Sequence, residues 1–139
     1  GLVGHAFDAN KAMLQQQDVK LLPLVRSGIF SFLWRNRFQG SSITVRKDVP
    51  LRFDESMRFS EDFDLALQAA MHKCPVYYSA SPLTLLGRPQ LSKGGLSGNR
   101  MSMRMGELRA YRKLAKFGWF WALITPFLLL FSLLKHLLR

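Results

Sequence analysis

Phe53-Asp54-Glu55-Ser56-Met57-Arg58-Phe59-Ser60-Glu61-Asp62-Phe63-Asp64-Leu65 gathers a cluster of carboxylates where a loop gives way to an apolar periodic run. Ser60 reads as the N-cap of a helix. Glu61, Asp62 and Asp64 then fill its first turn, where the positive end of the helix dipole favours carboxylates. Phe63, Leu67 and Ala70 follow at helical spacing, Lys73 falls in the last turn and Pro75 stops the helix. A carboxylate at such a helix start can act as a general base if it faces a cleft and meets a hydroxyl. Neighbouring carboxylates also raise one another's pKa. Acidic residues behind a Ser cap serve helix stability as well, and the residue pattern alone favours that plainer role.

Upstream, Gly40-Ser41-Ser42-Ile43-Thr44-Val45-Arg46 reads as a strand, with β-branched residues behind a Gly break, ended by Asp48-Val49-Pro50. Ile29–Trp34 is an apolar run that fits a helix or a strand. Residues 8–26, around Met13, Val19, Leu21 and Leu22, read as a helix. Downstream, Val76–Ser79 reads as a strand, Ser81-Pro82 as a turn and Leu83–Leu86 as a further extended run. Gln90–Asn99, with three Gly and two Ser, reads as a loop of the kind that orders on a ligand. Met101, Met105, Leu108, Tyr111 and Ala115 form a helical stripe among Arg104, Arg109, Arg112, Lys113 and Lys116.

The chain of 139 residues is 48% hydrophobic and 21% charged, which suits one domain with a modest core and excludes a disordered polar chain. A single cysteine, Cys74, excludes an intrachain disulfide framework and a multi-cysteine zinc site. His5, His72 and His136 are scattered, which points to no metal cluster. No stretch has the layout of a signal peptide. The net charge of +11 is uneven: residues 1–87 contribute +2 and residues 88–139 contribute +9. Basic stretches attract nucleic acid or anionic lipid.

The apolar neighbour of that basic stretch favours lipid, and no nucleic-acid-binding motif is present. Residues 117–134 run for 18 positions without a charge, about 27 Å as a helix and close to a hydrocarbon core of ~30 Å. A transmembrane helix is the leading expectation, ahead of an interfacial or re-entrant helix and a buried core helix. Trp119 and Trp121 suit a headgroup belt, and the basic 100–116 stretch suits the cytoplasmic side. Lys135, His136 and Arg139 weaken that orientation.

The order of strand, Phe53-Asp54-Glu55, Ser60-Glu61-Asp62-Phe63-Asp64-Leu65, strand and Leu86-Gly87-Arg88 resembles family-two glycosyltransferases of the GT-A fold, over roughly residues 36–112. The resemblance implies an α/β chain forming the C-terminal, acceptor-side portion of that fold. Residues 1–112 would be that portion. Residues 113–139 would be a basic amphipathic and apolar membrane helical segment at the cytoplasmic face of the inner membrane. It implies sugar transfer from a nucleotide-sugar donor to an acceptor hydroxyl, of a glycan or a lipid-linked species. Asp62 would be the catalytic base, with Glu61 supporting the acceptor.

The same resemblance implies a divalent cation, Mg or Mn, held by an Asp-x-Asp motif upstream. None precedes Glu61, and Asp8-Ala9-Asn10 is a poor substitute. The piece is therefore expected to be incomplete and inactive alone, with no metal ligand of its own. Many members carry Arg-x-His where this chain has Arg88-Pro89-Gln90, and Gln90 is a poor metal ligand. Arg88 still suits diphosphate binding. The Ser92–Asn99 loop, with Lys93 and Arg100, is able to close over it, and Trp34 is a candidate for stacking against an acceptor. The alternative is a non-catalytic, membrane-associated module whose acidic pair is only a helix cap.

Overall fold

The computed structural model describes residues 1–8, 23–34, 36, 38–85 and 98–137. The strands are β1 (Leu2–Asp8), β2 (Val25–Arg26), β3 (Ile43–Val45) and β4 (Val76–Leu85). The helices are α1 (Ile29–Trp34), α2 (Glu61–Met71), α3 (Arg100–Leu114) and α4 (Trp119–Leu137). The strands form one small mixed sheet in the order β2-β4-β1-β3. β1 runs parallel to β4 and antiparallel to β3, and β2 runs antiparallel to β4. Parallel neighbours need a crossover connection, and α2 lies within the one joining β1 to β4.

β1 is central to the sheet, yet its sequence gave no strand expectation. Gly4 and Ala6 dilute the β-branched pattern, and Gly4 is small for a packing reason. A Cβ there would fall 1.9 Å from the Phe38 ring. Phe38 in turn stacks on Phe32, with centroids 5.1 Å apart, and meets the edge of Tyr78. Of the helix expected over 8–26, residues 9–22 lie outside the described residues, while Val25–Arg26 is a strand paired with Tyr77 and Tyr78. Ile29–Trp34 resolves as a helix. In the expected strand 40–46, Gly40–Ser42 is a 3-10 turn and only Ile43–Val45 pairs.

The turn expected at Ser81-Pro82 is absent: β4 runs through it. The register against β1 shifts between His5 and Ala6, where the partner moves from Ser79 to Pro82. Such a bulge accommodates a proline that cannot donate to the ladder. The Ser79 hydroxyl donates to Ser81 Oγ at 3.0 Å and accepts the Ser81 N–H at 3.2 Å, which satisfies the bulged backbone locally.

α2 ends at Met71, and Lys73 lies beyond it in the left-handed region (φ 55°). Lys73 N–H bonds Ala70 O and Cys74 N–H bonds Ala69 O, a Schellman closure with lysine in the position glycine usually takes. α3 starts at Asn99, whose side chain accepts the Ser102 N–H at 3.0 Å. Its buried face is Leu108, Ala110, Tyr111 and Leu114, whereas Met101 and Met105 of the expected stripe are exposed.

No helix among the described residues is long and apolar enough to cross a membrane. This corrects the expected membrane helix: the described residues form a small mixed sheet with helices, none of them able to cross a membrane. The physical reason lies in how α4 packs. Gly118, at φ 132°, turns the chain, and α4 runs back along α3. Thr125 Oγ1 lies 3.5 Å from Tyr111 O, Ser132 Oγ accepts from Arg104 at 3.0 Å, and Lys135 Nζ sits 2.5 Å from Glu107 Oε1. Thr125, Ser132 and Lys135 are thereby used against α3, and Pro126 falls within the apolar run. Trp121 packs against the core, while Trp119 is exposed.

Candidate functional site

The carboxylate cluster divides into two sets. Lys113 of α3 takes one set: its ammonium lies 2.6 Å from Asp54 Oδ2 and 2.8 Å from Asp64 Oδ2. Asp64 is buried and also accepts from Gln68 Nε2 at 2.7 Å. The Lys113 ammonium beside Asp54, helped by Ser56, holds the Asp54 carboxyl well below the usual carboxylate range. Arg109 donates to the Ser56 hydroxyl at 3.0 Å, tying the same loop to α3. Asp54 and Asp64 therefore hold the acidic loop and α2 against α3.

The other set is Glu61 and Asp62, at the start of α2. Asp62 Oδ1 accepts from Asn36 Nδ2 at 3.1 Å and from Phe63 N–H at 2.7 Å. Both partners are neutral. Burial pushes the Asp62 carboxyl up to about 6, and the Glu61 charge acts in the same sense. The bonds from Phe63 and Asn36, with one from the Asp62 backbone, oppose that shift without cancelling it. Asp62 can thus exchange a proton near neutral pH, as a general base should.

Asn36 fixes this geometry and was not singled out from sequence. Its Oδ1 accepts the Phe38 N–H at 3.0 Å, which orients the amide so that Nδ2 faces Asp62. An isolated Asn behind an apolar run carries no motif, so only the fold reveals it.

Ser60 occupies the N-cap position, but its side chain makes no capping bond, contrary to the expected cap. Its hydroxyl donates to Met103 O of α3 at 3.0 Å, and its backbone is left-handed (φ 57°). That conformation costs a non-glycine residue about 1 kcal/mol. Gly106 lets α3 approach this turn: a Cβ there would lie 2.3 Å from Phe59 O. Tyr111 anchors the other side, its hydroxyl donating to Leu33 O at 2.7 Å and its ring meeting Phe63 edge-on. Burial pushes that phenol above its ordinary pKa.

Trp34 ends α1, two positions before Asn36; its side chain lies outside the described residues. Arg88 and Lys93 also lie outside them. Their segment follows β4, which ends opposite Asp8 of β1 at Leu85. Among the described residues no group of three or more His, Cys, Asp or Glu side chains could hold a metal ion; the divalent cation was expected on an upstream Asp-x-Asp motif. A shallow pocket lined by Val45, Arg46, Lys47, Leu51, Arg52, Phe53 and Leu65 does not include Asp62.

No family model, curated protein or solved structure matches the chain.

Proposed function

We propose that the chain is the acceptor-side part of a glycosyltransferase and that Asp62 is its general base. The observation that carries this reading is the division of the acidic cluster. Asp54 and Asp64 share the Lys113 ammonium, whereas the donors to Asp62 Oδ1, Asn36 Nδ2 and Phe63 N–H, are neutral. The resemblance of Ser60-Glu61-Asp62 to the acceptor motif of family-two glycosyltransferases supports the same assignment.

In this mechanism Asp62 accepts the proton of an acceptor hydroxyl as its oxygen attacks the anomeric carbon of a nucleotide-sugar. The bond from that carbon to the diphosphate breaks, and the nucleoside diphosphate leaves with the electron pair. The proton ends on Asp62. Asn36 holds the carboxylate in place, and Glu61 contacts the acceptor. The leaving diphosphate needs a cation partner, which Arg88 and Lys93 would supply in part.

Asp62→Asn in the intact enzyme tests the assignment, because it keeps the shape and removes the basic oxygen. Loss of sugar transfer with donor binding retained supports it, and unchanged transfer refutes it. A second reading, that Asp62 only stabilises the helix start, draws on its bond from Phe63 N–H. It predicts that the same substitution lowers stability and spares transfer.

A further inference from the structure

α4 has its amphipathicity turned outward. Its polar side chains Thr125, Ser132 and Lys135 face α3, where each finds a partner. Every exposed position of the helix among the described residues is apolar, including Trp119, Leu123, Phe127, Leu130, Leu134 and Leu137. Trp119 and Leu137, at the two ends, are 80% and 78% exposed. With 19 residues the face is about 28 Å long. Scattered apolar residues on a surface need no explanation, but a continuous apolar face of this length marks an interaction site.

We infer that this face lies along the surface of an anionic lipid bilayer, with α4 parallel to the membrane plane. Two observations favour lipid over a second protein. Among the described residues the exposed face offers no hydrogen-bonding side chain except the Trp119 indole, whereas protein interfaces carry a polar rim and regular hydrogen bonds. An indole at the end of an apolar helix suits the headgroup level. The charge beside it is also one-sided. Exposed Arg112 and Lys116 precede the turn into α4, and residues 108–139 contain no Asp or Glu. Apolar insertion and attraction to anionic headgroups then act together. The inference concerns α4 alone and does not depend on the role of Asp62.

Flotation of the full chain with vesicles tests it. Phosphatidylcholine vesicles containing phosphatidylglycerol should bind the chain more tightly than phosphatidylcholine alone. Lys116→Gln should weaken binding to the anionic vesicles about fivefold. The double variant Leu123→Gln/Leu130→Gln should lose at least about tenfold in partitioning with its denaturation midpoint unchanged, because both side chains point away from the core. Alkaline carbonate should release the bound protein. Absence of vesicle binding, or binding indifferent to the double variant, overturns the inference. Retention after carbonate overturns the surface orientation. A dimer in solution that the double variant dissociates, without vesicle binding, gives the face to a second copy instead.

Discussion

Lys113 places its ammonium 2.8 Å from the carboxylate of Asp64, a side chain that is almost wholly buried. The pair spans α2 and α3 and sets the distance between them. Removing one partner of a buried pair strands the other charge. Lys113→Met should cost about 3 kcal/mol, read by urea denaturation. Adding Asp64→Asn to that variant should recover part of the loss, since the stranded charge disappears.

Gly106 sets the approach of α3 to Phe59 and Ser60 from the other side. A methyl group there meets backbone, which cannot swing away. Gly106→Ala should cost about 2 kcal/mol despite the helix propensity it gains. A stability equal to or above that of the parent would mean that the close contact is unimportant.

At the far end of α2, Lys73 holds a left-handed conformation that glycine adopts without strain. Lys73→Gly should raise stability by about 1 kcal/mol, measured as a shift in denaturation midpoint.

The pH dependence of stability separates a base from a cap. The folded pKa of Asp62 is raised to about 6 from its ordinary value of 3.8. Between these values the native state binds more protons than the unfolded state, so the contribution of Asp62 to stability falls as pH rises through that window. Above it, the ionised carboxylate costs about 2 kcal/mol, allowing for its partial contact with water. Asp62→Asn should therefore stabilise the fold by about that amount at neutral pH, and the gain should vanish below about pH 4. A loss of stability on substitution would favour the cap.

Much of the helical layer was legible in the residues. Carboxylates at one end and Pro75 at the other bracket α2, periodicity finds α3, and a charge-free run of 18 residues marks α4. The sheet was harder. Gly4 makes β1 read weakly because its size serves the Phe38 ring, and Pro82 reads as a turn although a bulge carries β4 through it. Hydropathy alone made 117–134 a membrane span. The signal against it was present: Thr125, Ser132 and Lys135 share one side of a helix, the side that meets α3. Within the acidic cluster, the sequence singles out Asp62 but not its partner Asn36. Nor does it show Asp54 and Asp64 to be paired, because only the fold brings Lys113 to these two.

The most direct measurement is the pH dependence of kcat/KM for sugar transfer by the intact enzyme, beside Asp62→Asn at each pH. The account predicts an ascending limb with an apparent pKa near 6 in the parent. It predicts a loss of at least about a thousandfold in the variant, with the limb gone and donor binding retained. Transfer by the variant at the parent rate, with the same limb, would contradict it and remove Asp62 from the chemistry.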